Sequence, residues 1–307
     1  MENKAAEASV GARAVSPGLW DALRAYIEVT KPRSVFLLVF TALGVMPAAA
    51  AAAGPVPWHE ILQAVAAVTL ACAGANAVSC YVDRDLDAAM ARTRRRPIPE
   101  GRIYPAVRAL YWGLFLFVLS LFLAWGLNPV AFACLWGGML GYVGIYSLWL
   151  KRKSVWNIIL GGFSGGLPAL FGWTAITGRV DLLPVLIGGL VVLWIPNHIW
   201  SLAIFYKEDY ARVRVPMLPV VCELKRALHC LLSTVILMVV FSGLIYLVGD
   251  WGPVYPATAA VTGIAALAMS VYVYLWPTPQ AAWTLFKFSS PYLALLFLGM
   301  MVDVWVR

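Results

Sequence analysis

Charge is scarce in this chain. Only 12% of its 307 residues are Asp, Glu, Lys or Arg, whereas 62% are hydrophobic and the mean hydropathy is +0.80. Ordinary soluble domains carry about twice that share of charge, so a soluble enzyme or a pair of cytosolic domains is excluded. Cysteine is sparse too. Cys72, Cys80, Cys134, Cys222 and Cys230 show no CxxC spacing and mostly sit in or beside apolar runs. They read as small buried hydrophobes, not as thiolate ligands or disulfides. The first 30 residues contain acids and lack an early apolar core, which is not the pattern of a cleavable secretory signal.

Long apolar runs are what the chain has in quantity. Nine spans can be drawn, at roughly 34–54, 60–82, 105–126, 128–149, 155–177, 182–205, 227–248, 254–275 and 288–306. The fold class expected is therefore all-α: a polytopic membrane protein, one bundle of nine transmembrane helices in the lipid bilayer. Residues 1–18 read as a mobile N-terminal arm and 19–307 as a single transmembrane domain. Within it, LWDALRAYIEVTKPRS (19–34) reads as a short amphipathic interfacial helix leading into the first span.

The net charge of +8 would suggest nucleic acid in a soluble protein. Here its placement reads as topology instead. Of 23 Lys and Arg, only Arg179 and Arg307 fall on one side; the others lie in the N-terminal arm and the even-numbered gaps, Lys287 included. By the positive-inside rule the N-terminus is cytoplasmic, and no nucleic-acid partner is expected. The outer loops are plain. Chemistry is expected on the cytoplasmic side, in the two long gaps 83–104 and 206–226.

The first gap opens with NAVSCYVDRDLDAAMARTRRRP (76–97). Asp83 and Asp87 are four apart, so a helix stacks them on one face, with Asn76 and Ser79 near that face. Asp85 points about 200° away from Asp83 and cannot share an ion with both, so it is expected to face Arg84 or an arginine of the following loop. Paired carboxylates suggest Mg2+ carrying a phosphate group. Arg92, Arg94, Arg95 and Arg96 fit a diphosphate clamp, because guanidinium matches phosphate oxygens bidentately. The bland alternatives are a solvated, salt-bridged span end and an anionic-lipid anchor.

The second gap, FYKEDYARVRVPMLP (205–219), offers Lys207 as a point charge and Asp209 as a further carboxylate, in the place after span six that matches the first cluster after span two. That parallel hints at an internal duplication. Pro216 and Pro219 suggest a fixed cap. His198 lies inside span six, roughly 13 Å below this cluster. An intramembrane histidine is costly, and it reads either as functional or as a satisfied core residue. GGFSGG (161–166) reads as close helix packing.

The segment YVDRDLDAAMARTRRRPIPEG resembles the first acidic motif of the UbiA-type intramembrane prenyltransferases. Three further segments, YSLWLKRKSVWNIILGGFSGGLPALFGW, HIWSLAIFYKEDYARVRVPMLPVV and FKFSSPYLALLFLGMMVD, are similar to the heme-farnesylating branch of that family. Together they extend from about residue 76 to 303. The resemblance implies a central cavity capped by the cytoplasmic loops. It also implies Mg2+-dependent transfer of farnesyl from farnesyl diphosphate to the 2-vinyl group of heme b. Water adds in the same reaction, giving heme O for heme-copper oxidases.

On that resemblance Asp83, Asp87 and Asp209 hold metal, and Lys207, Arg92 and Lys151 join them in catalysis. Asn76, Ser79, Arg94, Arg95, Arg96, Arg152, His198, Tyr206 and Tyr210 contact substrate. His198 is a candidate axial ligand or orienting group for the heme iron. Heme A synthase or terminal-oxidase assembly factors are the protein partners implied, and a bacterial inner membrane the location.

Three departures stand out. Ser79 occupies a position where the broader motif often has Asn, no second DxxxD follows span six, and Arg214 stands where a small residue is expected. An aromatic prenyltransferase of quinone biosynthesis is the alternative within the family. A membrane transporter is the alternative from another class; it would more naturally show polar or broken spans through the bilayer depth.

Overall fold

A computed structural model describes residues 18–307, and within them every regular element is helical. The expectation for the N-terminal arm, residues 1–17, lies outside the described residues. Helix α1 (Leu19–Glu28) exposes Leu19, Trp20, Leu23 and Ile27 along one face, as an interfacial helix requires. Nine spans follow: α2 (Pro32–Ala53), α3 (Trp58–Val82), α5 (Val107–Leu127), α6 (Pro129–Met139, continuing to Leu150), α7 (Asn157–Thr177), α8 (Leu182–Phe205), α11 (Leu224–Val248), α12 (Val254–Leu275) and α13 (Pro279–Val306). Short helices α4 (Arg84–Ala89), α9 (Lys207–Arg212) and α10 (Leu218–Val221) fill the two long gaps.

Local chemistry sets the ends. Asn128 caps α6 by accepting the Ala131 N–H at 2.8 Å, with Pro129 at the first helical position. Thr278 does the same for α13, accepting from Ala281 N at 3.1 Å ahead of Pro279. That cap starts the last span nine residues before the expected position 288. Lys287 is therefore not a loop cation; it projects from α13 with its ammonium over the Trp283 ring. The fourth span also departs from expectation. Its second half, Leu140–Leu150, is π-helical, closing with Lys151 N–H to Tyr146 O at 2.8 Å. The wider turn stacks residues four to five apart, so Tyr142, Tyr146, Ser147 and Lys151 share a face.

Neighbour contacts run α2–α3–α5–α6–α7–α8–α11–α12–α13 and back to α2, closing a ring. Direct α2–α7 and α8–α13 contacts tie it across the middle. Burial gives two apolar clusters that share α2 and α7: one with α3, α5 and α6, the other with α8, α11, α12 and α13. In lipid, apolar burial between helices gains little, so close approach of small residues must supply the packing. Gly74 and Gly113 show it: a Cβ on Gly74 would lie 2.6 Å from the Gly113 carbonyl oxygen. At the end of the bundle away from Asp83 and Asp87, Asp303 is fully buried on α13 and accepts N–H bonds from Gly252, Val254 and Tyr255 at 2.5, 2.7 and 3.0 Å. It satisfies the orphan donors at the start of α12.

Candidate active site

Helix α3 stops at Asp83 (φ −92°, ψ 7°), and the chain restarts at once as α4. The four-residue hydrogen bonds continue through the bend: Asp83 N–H to Ser79 O, then Asp87 N–H to Asp83 O. Asp83 and Asp87 thus stay on one side, and both are buried. Each carries its own cation. Lys151 Nζ donates to Asp83 Oδ2 at 2.6 Å, and Arg96 Nη1 donates to both oxygens of Asp87 at 2.9 and 2.8 Å. Burial works against the Arg96 charge, but Asp87 outweighs it and the guanidinium is held more firmly protonated than usual.

Ser79 supports this arrangement, donating to Asp83 Oδ2 at 3.3 Å, with Ser147 3.5 Å from its hydroxyl. Asp83 Oδ1 and Asn76 Nδ2 are buried with no hydrogen-bond partner. A buried carboxylate oxygen left open is what a hard cation needs, and Mg2+ takes one or two carboxylates plus phosphate oxygens instead of a closed protein cage. The donor set at Asp83 and Asp87 fits that ion.

Asp209 does not complete such a cage. Among the described residues no three His, Cys, Asp or Glu side chains converge as a metal site. The register explains why. Tyr206 bonds back to Leu202 and Tyr210 back to Tyr206, repeating the pattern of Asp83 and Asp87 at the α8–α9 bend. The pair Tyr206 and Tyr210 therefore occupies the place of the first acidic pair, and Asp209 falls one position off it. Asp209 is buried, with Arg212 as its cation at 4.0 Å. Lys207 is exposed.

Other cations divide by position. The Arg92 guanidinium lies 5.6 Å from the centroid of the Tyr206 ring, joining the two long connecting segments. Arg94 and Arg95 are exposed. Arg152 is taken by Asp85, through two bonds of 2.6 Å. That hydrogen bonding outweighs partial burial and pulls the Asp85 carboxyl down to about 2. Asp85 therefore meets neither of its expected partners: Arg84 folds back over Tyr81, and the cation comes from the connection after the fourth span instead of the loop that follows Asp85, because the two span ends lie side by side.

The sequence reading missed Lys31. It precedes α2 in a left-handed conformation (φ 55°), with Nζ 3.4 Å from the Tyr142 hydroxyl. Burial disfavours its charge, yet Cys80, Tyr142 and Asp87 around it raise its pKa well above the usual lysine range. Tyr142 and Tyr146 stack at 6.0 Å, and Lys151 lies over Tyr146, so a ladder runs from Lys31 to Asp83. Gly161 makes room for it: a Cβ there would meet Tyr146 at 2.7 Å. The signal in the sequence was the TKPR segment, where Pro32 forces a turn.

The cap is packed, as its prolines suggested. Val215 and Met217 are buried with Leu86, Met90 and Tyr210. Arg214 has φ 53°, which is why a small residue suits that position. Deeper in α8, His198 stacks between Trp194 and Phe286, with centroids 4.6 and 4.4 Å away. Its Nδ1 is 2.6 Å from Ser289 Oγ. At the opposite end of the bundle a cleft of about 620 Å³ opens among Ala48, Leu182, Val248, Trp251 and Arg307, a feature the plain outer loops did not foretell.

Comparison with known proteins agrees with this architecture. The chain is 71% identical over 293 residues to the protoheme IX farnesyltransferase of Desulforudis audaxviator (strain MP104C), covering 95% of this chain and 92% of that one. It is 40% identical over 284 residues to the protoheme IX farnesyltransferase of Symbiobacterium thermophilum, with 92% and 94% covered. Among solved structures, a digeranylgeranylglyceryl phosphate synthase superposes with a TM-score of 0.75 at 20% identity, covering 93% of this chain and 99% of that one. A UbiA homolog from Archaeoglobus fulgidus bound to GPP and Mg2+ gives 0.65 at 17%, covering 91% and 99%. Residues 37–296 match the UbiA prenyltransferase family, and the chain belongs to it.

Proposed function

We propose that this chain transfers the farnesyl group of farnesyl diphosphate to the 2-vinyl group of heme b, with addition of water, to give heme O. The observation that carries the prenyl chemistry is the buried pair Asp83 and Asp87, each held by a cation and roofed by a packed cap. Heme as the acceptor is supported by the 71% identity to a protoheme IX farnesyltransferase. Tyr206 and Tyr210, standing where a second acidic pair would be, count against a quinone-type aromatic acceptor.

Asp83 and Asp87 would hold Mg2+, which when bound neutralises diphosphate oxygens and eases departure of the leaving group. Lys151, Arg96, Arg92 and Lys31 surround the same place and stabilise charge as the allylic C1–O bond breaks. Asn76 and Ser79 orient the carboxylate face, and Arg94, Arg95 and Lys207 supply the basic rim that attracts the diphosphate. Arg152 acts through Asp85, fixing α4 against the next connection. The vinyl electron pair bonds to C1, and the cation left on the heme side takes water and releases a proton. Tyr206, Tyr210 and the cap keep water from the allylic cation until then. The N-terminus and the carboxylates face the cytoplasm, in a bacterial inner membrane; Arg179 and Arg307 lie at the other end. Heme A synthase or an oxidase assembly factor receives the product.

The test is a membrane assay with heme b, farnesyl diphosphate and Mg2+, with hemes separated by chromatography and weighed. A heme heavier by one farnesyl and one water, absent with EDTA, is expected. Heme b returned unchanged by folded protein would redirect the assay to 4-hydroxybenzoate as acceptor.

A further inference from the structure

Ser289 has one hydroxyl proton, and it is already committed. The hydroxyl donates to the Phe286 carbonyl at 2.6 Å, so toward His198 Nδ1, also at 2.6 Å, it can only accept. With that donor direction the contact is satisfied by the Nδ1–H tautomer of the imidazole. The Ser289 carbonyl in turn accepts the Trp194 indole N–H at 2.7 Å, so this one residue of α13 fixes two aromatic side chains of α8. With Trp194 on one face and Phe286 on the other, the imidazole has little freedom to turn.

That leaves Nε2 as a bare lone pair. Among the described residues it has no hydrogen-bond partner, and it is not among the fully buried orphan atoms. Trp194 and Ser289 are buried, whereas His198 is only partly so. The other two histidines differ. His229 Nε2 pairs with the Tyr274 hydroxyl at 2.8 Å, and His59 lies edge-on to Trp58 at the outer end. A role in packing alone would not need an imidazole with one nitrogen held by Ser289 and the other left without a partner in an apolar layer. An imidazole that donates through Nδ1 while Nε2 stays free is instead the arrangement of a metal-ligating histidine, its other nitrogen held by a supporting acceptor.

We propose that Ser289 is a positioning residue that holds His198 in the Nδ1–H tautomer, so that Nε2 coordinates the iron of the heme substrate. The inference rests on the heme-farnesylating reading above. Iron ligation through α8 seats the porphyrin, and the reacting vinyl group is carried with it.

The experiment uses the purified full-length protein in lipid nanodiscs, titrated with ferric heme b and read by Soret absorption and electron paramagnetic resonance, with turnover measured alongside. Wild type is expected to give a nitrogen-ligated spectrum. His198→Ala should lose it, and free imidazole should restore it. Ser289→Ala should weaken heme binding by about 10–100-fold, the usual effect of removing a ligand's supporting partner. Ser289→Thr, which keeps the hydroxyl, should bind as wild type does. Circular dichroism and melting confirm that each variant is folded. An identical ligand spectrum in wild type and His198→Ala, with turnover present, overturns the iron ligation and leaves the farnesylation reading standing. Wild-type spectrum and affinity in Ser289→Ala overturn the role of Ser289. Folded wild type that neither binds nor farnesylates heme overturns the underlying reading instead.

Discussion

The ammonium of Lys151 sits 2.6 Å from Asp83 Oδ2, joining the end of the π-helical fourth span to the end of the second across 68 residues of sequence. Asp83 is nearly inaccessible and Lys151 mostly so. A pair of this kind is costly to break from one side, because the remaining charge stays buried. Lys151→Met should therefore destabilise the protein, toward the lower end of about 3–5 kcal/mol. The double variant with Asp83→Asn should recover most of that stability yet show turnover reduced by roughly 10²–10³-fold. Melting in detergent and the heme assay separate the two effects. Full turnover in the double variant would remove the site from Asp83.

Lys31 presents a different balance. It has no acidic partner in an ion pair among the described residues, so its charge is available to an anionic substrate. Lys31→Met should raise KM for farnesyl diphosphate and lower kcat, while KM for heme stays unchanged. Equal loss for both substrates would mean that Lys31 serves only the turn into α2.

Asp85 gives a prediction in pH. Its carboxyl is held at about 2 by the Arg152 hydrogen bonds, below its ordinary value near 4. A depressed folded-state pKa contributes stability that is complete above about pH 4 and lost as pH falls through about 2. Arg152→Ala should return the Asp85 titration, followed by carboxyl carbon NMR, to the ordinary range. Turnover at neutral pH should change by less than about twofold, since surface pairs of this kind are worth little. A large loss would place Arg152 on the diphosphate directly.

Asp303 tests stability away from the chemistry. Its carboxylate accepts three backbone N–H bonds at the start of α12, and charge-assisted bonds are the stronger class. Asp303→Ala should cost about 2–3 kcal/mol, and Asp303→Asn less, with turnover per folded molecule unchanged. Parallel melting curves and assays decide it.

All nine spans, their order and most of their ends were legible in the sequence, because hydropathy is a local sum that no distant contact alters. So was the Asp83–Asp87 pair, since a four-residue spacing puts both on one helical face whatever surrounds them. The last span was misplaced because an aromatic, polar stretch reads as a loop until Thr278 is recognised as its cap. Only tertiary structure decided which cation meets which acid: Lys151 for Asp83, Arg96 for Asp87, Arg152 for Asp85. It alone brought Lys31 to the site, put Tyr206 and Tyr210 where acids were sought, and set His198 against Ser289. These depend on which helix ends meet, and ring closure sets that across separations that periodicity does not report.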